Sequence, residues 1–243
     1  MLGDGDGVSG NRVHVMYAHA SDVASRYPAY AASFKSWTIG MDAIFNNSAA
    51  QTGGTRHIRF VHDANCNPII PDVTLSPAGD NNFMNTINEL EAMGYYRTDR
   101  KYIIFMDARV YCGIATMSYD DTPGSGNANN YGDTFGRIDN GCWSDVIPAH
   151  ELMHQFGGVQ LSAPHSSGEA HCYDGYDDMC RPTNGTKIQV ICSDSAQGSL
   201  LDCGHDDYYS TNPPSGSYLA THWNSANSAF LILPSTSTRT NRR

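Results

Sequence analysis

Residues 149–158 read Ala149-His150-Glu151-Leu152-Met153-His154-Gln155-Phe156-Gly157-Gly158. Side chains four apart on an α-helix lie on one face, so His150 and His154 can aim two imidazoles at a single ion. Glu151 lies beside that face, where a carboxylate can take a proton from a water bound to the ion. Leu152, Met153 and Phe156 suit a half-buried helix, and Gly157-Gly158 suits its abrupt end. Upstream, Ser144 or Asp145 is the expected cap, and Pro148 falls in the first turn, where its missing N–H costs little.

Working outward toward the N-terminus, Asn11 to Ala20 alternates Val13, Val15 and Tyr17 with more polar positions and predicts a strand. Ser21-Asp22 offers an N-cap for a long helix carrying Tyr27, Tyr30, Phe34, Trp37 and Met41, running to about Phe45. A second strand is expected over Arg56–Val61. A second helix is capped by Asp80 or Asn81, carries Phe83, Ile87 and Leu90, and stops at Gly94. Lys101–Ala108 is continuously apolar from Tyr102 to Met106, as in a central strand covered on both faces. Two more strands are expected near Tyr111–Tyr119 and Phe135–Cys142, ahead of the His-Glu helix. This order indicates an α/β lobe with a mixed sheet over about residues 11–158. Regular periodicity then fades until Tyr218–Leu233, which predicts a last helix and strand. About 159–233 therefore reads as an irregular second lobe of one catalytic domain, 1–243, and residues 234–243 as a disordered tail.

The formal charge is -10 over 243 residues, with no basic cluster before the last few residues. Nucleic acid is not an expected partner. Nor is a membrane, since no apolar run is long enough to span one. Residues 1–7 have neither the basic nor the apolar region of a signal peptide. Seven cysteines nonetheless suggest an oxidising compartment. The expectation is a mature secreted, extracellular domain acting as a monomer. Cys172 with Cys180, Cys192 with Cys203, and Cys112 with Cys142 are the favoured pairs, which leaves Cys66 over.

A catalytic zinc has three protein ligands and an open position, so the helix needs a partner downstream. The chain continues Val159-Gln160-Leu161-Ser162-Ala163-Pro164-His165, then Glu169-Ala170-His171-Cys172, then Tyr176-Asp177-Asp178-Met179-Cys180. Here it resembles the metzincin clan of zinc peptidases, whose pattern is H-E-x-x-H-x-x-G-x-x-H followed by a methionine-bearing turn. His150, Glu151, His154 and Gly157 match that pattern, and Met179 is similar to the turn methionine. Gln160 stands where the third ligand belongs, and its neutral amide is a poor zinc ligand. The stretch also resembles secreted bacterial metzincin-type proteins with a Val-Gln-x-Ser-Ala-Pro-His run. His165 is accordingly the first choice for third ligand, ahead of His171, with Gln160, Glu169 and Asp174 behind.

The resemblance implies a zincin-like α/β fold with a mixed, mostly parallel five-stranded sheet and a disulfide-stapled lower lobe. It implies zinc on His150, His154 and His165, Glu151 as general base, and protein or peptide substrates lying along Tyr111–Tyr119. Two other readings stand beside it. One is a gluzincin or aspzincin with Glu169 or Asp174 as third ligand. The other is a secreted, metal-braced binding module without catalysis. Structural calcium is a further expectation at Asp4/Asp6, Asp120-Asp121 or Asp177-Asp178, and His205-Asp206-Asp207 offers a second metal site.

Overall fold

In the computed structural model, residues 2–181, 185–192 and 199–233 are described. Strand β1 (Arg12–Ala20) leads through a turn to helix α1 (Tyr27–Gln51). Then come β2 (His57–Ile58), β3 (Asp72–Leu75), α2 (Phe83–Ala92) and β4 (Arg100–Met106). Next are β5 (Gly113–Ala115), β6 (Thr134–Asp139) and α3 (Val146–Gln155). The second lobe adds only short elements: β7 (Ser166–Gly168), β8 (His171–Cys172), α4 (Tyr218–Thr221) and β9 (Leu231–Ile232). The expected tail, 234–243, lies outside the described residues.

The main sheet has five strands in the order β3-β1-β4-β6-β5, all parallel except β5, which runs antiparallel to β6. Its central strands divide their side chains by the two-residue period of the pleat. Val13, Val15 and Tyr17 of β1 join Ile103 and Phe105 of β4 on the face covered by α1 and α3. Met16 and Ala18 join Tyr102, Ile104 and Met106 on the face covered by α2. That double burial is why β4 reads as an unbroken apolar run from Tyr102 to Met106.

Three elements differ from expectation. Helix α1 begins at Tyr27 because Pro28 is acceptable only in a first turn, and the Arg26 N–H is already taken by the Tyr17 hydroxyl at 2.9 Å. It then runs past Phe45 to Gln51, because Ser48 and Ala49 are small enough to let the second lobe close on them. The Ser48 hydroxyl accepts the Leu201 N–H at 2.9 Å, and the Phe45 carbonyl accepts from the Tyr209 hydroxyl at 3.0 Å. Residues 56–61 form a broken strand: His57–Ile58 pair with β9, where Asp42 accepts the Ile58 N–H at 2.7 Å, and the segment then touches β1 through a single parallel bridge between Val13 and Phe60. The edge place beside β1 goes to β3, whose Val73 and Leu75 alternate inward.

Three disulfides link Cys112 to Cys142, Cys172 to Cys180 and Cys192 to Cys203, while Cys66 is free and exposed. The first ties the start of β5 to the end of β6; the other two brace the second lobe. No helix among the described residues is long and apolar enough to cross a membrane.

Candidate metal centre

Helix α3 is buried along most of its length, so its polar residues are held in place by packing. The Ser144 hydroxyl accepts the Ile147 N–H at 3.2 Å and caps the start; Asp145 makes no such bond. At the other end Gly157 adopts φ +85, a left-handed conformation that glycine takes without strain. The Phe156 carbonyl there accepts from Trp223 Nε1 at 2.7 Å and the Ser225 hydroxyl at 3.0 Å, which anchors the second lobe to the helix end.

His150 and His154 face the same point, as their spacing requires, and β8 brings His171 to meet them. His150 Nε2 lies 3.1 Å from His154 Nε2 and 3.3 Å from His171 Nε2. His150 donates its Nδ1 proton to the Asp178 carbonyl at 2.8 Å, and His154 donates its own to the Gly158 carbonyl at 3.2 Å. A carbonyl only accepts, so in the neutral rings both Nε2 atoms carry lone pairs. Burial holds these rings neutral: His150 is pushed down to about 4, His171 to about 3, and His154 well below the usual histidine range. Lone pairs facing one another at 3.1 Å repel unless a cation lies between them. Nitrogens bound tetrahedrally to zinc at about 2.0–2.1 Å would stand about 3.3 Å apart. The donor set therefore fits a zinc-sized ion.

Glu151 projects from the same turn of α3 into a cleft of ≈ 400 Å³ lined also by Gly113, Ala115, Tyr119, His154, His171 and Arg181. It is 3 % exposed, and burial pushes its carboxyl up to about 8, against the opposing field of Arg181. A Cβ on Gly113 would come within 2.1 Å of Glu151 Oε1, so the bare backbone of β5 is what gives the carboxylate its room. Strand β5 closes the sheet at that edge.

His165, the expected third ligand, does not lie with His150 and His154. His165 lies with Asp174, Asp206 and Asp207 in a separate cluster, and His171 takes the place beside His150 and His154. The Asp207 carboxylate captures His165 twice, accepting its backbone N–H at 2.7 Å and facing Nδ1 at 3.1 Å. Gln160 is a structural residue, donating to the Ser118 and Gly157 carbonyls at 3.1 and 2.8 Å. Glu169 lines the cleft without joining the histidines, and Asp174 is engaged elsewhere, so neither supplies the ligand of the gluzincin or aspzincin reading.

The signal for His171 lay in the cysteines. The Cys172–Cys180 bridge and the hydrogen bond from the Cys172 N–H to the Met179 carbonyl (3.2 Å) place His171 beside the Asp177–Met179 turn. That same turn holds His150 through Asp178. Met179 is fully buried in the principal core with Leu152 and Met153. Asp177 organises the turn, accepting from the Met179 N–H, the Cys203 N–H and the Tyr208 hydroxyl at 2.8, 2.9 and 2.6 Å.

Several aspartates of the expected calcium pairs are engaged within the protein, Asp177 among them; Oδ2 of Asp178 is buried without a hydrogen-bond partner. Asp6 caps its own loop through the Val8 and Ser9 N–H groups, and Asp4 pairs with Arg59 at 2.6 Å. Asp120 holds the Thr122 and Ala128 N–H groups. Among the described residues none of these aspartates gathers a cation-sized set with its neighbour.

No family model matches the chain, and no curated protein matches it. Solved structures similar to the chain include two that match over 79 % of its length. One is a chain of a chaperone-substrate complex, at 14 % identity and TM-score 0.33; the other is metalloproteinase-II from Bacteroides fragilis, at 11 % identity and TM-score 0.33. The matches span 31 % and 53 % of those chains. At that level of similarity neither fold nor activity carries over.

Proposed function

We propose that this chain is a secreted, zinc-dependent endopeptidase of metzincin type, with His150, His154 and His171 as metal ligands and Glu151 as general base. The observation that carries this reading is the convergence of the three buried Nε2 atoms next to a carboxylate on an open cleft. Structural zinc sites are usually closed by four protein ligands; three ligands and a cleft suit catalysis. When bound, the ion supplies Lewis acidity, polarising a carbonyl and bringing the pKa of a coordinated water from near 16 to about 7.

The chain's own residues supply the rest. A cation held by the three neutral imidazoles would favour the ionised form of the Glu151 carboxyl, whose role is to accept the attacking water's proton and later deliver it to the leaving amine. The free edge of β5 offers backbone N–H and C=O groups to an extended peptide, which aligns the scissile bond across the cleft. Met179 serves as the turn methionine beneath the ligands. Three disulfides suit the extracellular setting.

Digestion of casein by the zinc-loaded protein tests the reading. Cleavage abolished by a chelator, restored by zinc, and lost in Glu151→Gln with metal still bound supports it. A zinc-loaded wild type that cleaves neither casein nor gelatin contradicts it and leaves a metal-braced module in its place.

A further inference from the structure

The cluster that captured His165 has the composition of a second metal site. His165, Asp174, Asp206 and Asp207 each offer one ligand atom, all within 4.8 Å of one another. His165 Nδ1 lies 3.1 Å from an oxygen of Asp207, 3.4 Å from one of Asp174 and 3.6 Å from one of Asp206. Asp174 is the telling member. Its side chain is 0 % exposed, Oδ2 points into the cluster, and neither oxygen has a hydrogen-bond partner. Oδ1 of Asp206 has none either. A buried carboxylate with no donor is strongly disfavoured unless positive charge faces it. One imidazole Nδ1 carries at most one proton, which serves Asp207 and leaves the other two carboxylates uncompensated.

We propose that this cluster binds a second divalent cation of zinc's class, held by His165 Nδ1 and one oxygen each from Asp174, Asp206 and Asp207. The three nitrogen-to-oxygen separations bracket the roughly 3.3 Å expected of a tetrahedral ion with bonds of about 2.0–2.1 Å. A nitrogen donor and four ligands suit zinc; calcium takes six to eight oxygens at longer range. Four protein donors close the coordination shell, which makes this ion structural. Its place in the chain gives it a task. Asp174 follows shortly after His171, whereas Asp206 and Asp207 come from a distant loop, so the ion pins the segment that presents His171 to the helix. His205, next to the two aspartates in sequence, is not part of the set. Asp206 is 44 % exposed and opens the site to solvent, giving the ion a route in.

The four donors share no atom with the histidine cluster, so the two sites are testable apart. Purified protein dialysed against metal-free buffer is assayed by mass spectrometry for zinc, calcium, manganese and iron together. The expected result is two equivalents of zinc-class metal per chain in wild type. One equivalent should vanish in both Asp174→Asn and Asp206→Asn, and the other in His171→Ala. Asp206 is half-exposed, so Asp206→Asn keeps the test decisive even if Asp174→Asn fails to fold. Two equivalents persisting in Asp206→Asn, or a single wild-type equivalent removed entirely by His171→Ala, overturns the second site. Calcium as the second equivalent overturns the tetrahedral assignment. A single equivalent lost in Asp206→Asn yet retained in His171→Ala upholds this site and removes support from the helix site instead.

Discussion

On the proposed reading, Glu151 and the three histidines divide the chemistry cleanly at the level of single residues. Glu151→Gln preserves shape and burial but cannot accept a proton, so kcat should fall by about 10²–10⁴-fold while metal content stays unchanged. His171→Ala should remove the helix-site metal and all turnover together, whereas His165→Ala should leave that metal in place; metal analysis with a peptide assay separates the two. That His150 and His154 meet was legible from spacing alone, because a helix fixes which side chains share a face. The third histidine was not, because a loop fixes no such relation. His165 resembled the ligand by position and was captured by three carboxylates, while His171 was placed by a disulfide. Reading the bridge and the ligand search together would have pointed to it.

Among the elements, β5 and the 172–180 loop carry the sharpest consequences. Gly113→Ala would drive a methyl group onto Glu151 Oε1, with the nominal Cβ 2.1 Å away. Because β5 is an edge strand, the fold should tolerate the change while kcat/KM drops about 10²-fold through misplacement of the base. A thermal melt alongside the kinetics checks both halves; a fully active Gly113→Ala enzyme would contradict the placement of Glu151. Replacing Cys172 and Cys180 by serine removes a short loop closure and should lower stability by about 2–3 kcal/mol. Since that bridge sets His171 beside the Asp177–Met179 turn, zinc affinity should fall as well, which a competition titration with a chromophoric chelator would register. The central strands and the existence of α2 were readable because apolar runs act locally, although the helix is capped by Asn82 and not by Asp80 or Asn81. Strand β3 was missed because only its inward pair, Val73 and Leu75, is apolar. The strand expected over 56–61 is split into β2 and a single bridge to β1, a division that depends on Asp42, fifteen residues or so upstream.

At the scale of the whole molecule, the buried charges couple stability to pH. Lys101 is 0 % exposed in the central strand, with its ammonium near the Tyr131 carbonyl at 3.1 Å, and burial pushes its pKa down to about 7. The unfolded chain holds this proton up to about 10.5 and the folded chain only to about 7, so Lys101 disfavours folding most at pH 7 and below. The disadvantage shrinks as pH rises toward 10.5. Lys101→Met should therefore stabilise the fold by about 1–3 kcal/mol near pH 7 and by less near pH 10, as measured by denaturant titration at both values. An equal gain at both would show that the ammonium is not the cause. That regular elements become short after α3 was readable from where periodicity fades. How the later segments pack on α3 was not, because Trp223 and Ser225 on the Phe156 carbonyl are contacts between distant parts of the chain.

The most direct test is a crystal structure with anomalous data collected on both sides of the zinc absorption edge. A peak about 2.0–2.1 Å from Nε2 of His150, His154 and His171, with a coordination position open toward Glu151, is the predicted result. An empty histidine cluster, or an ion there closed off by a fourth protein side chain, would contradict the assignment of this cleft as a peptidase active site.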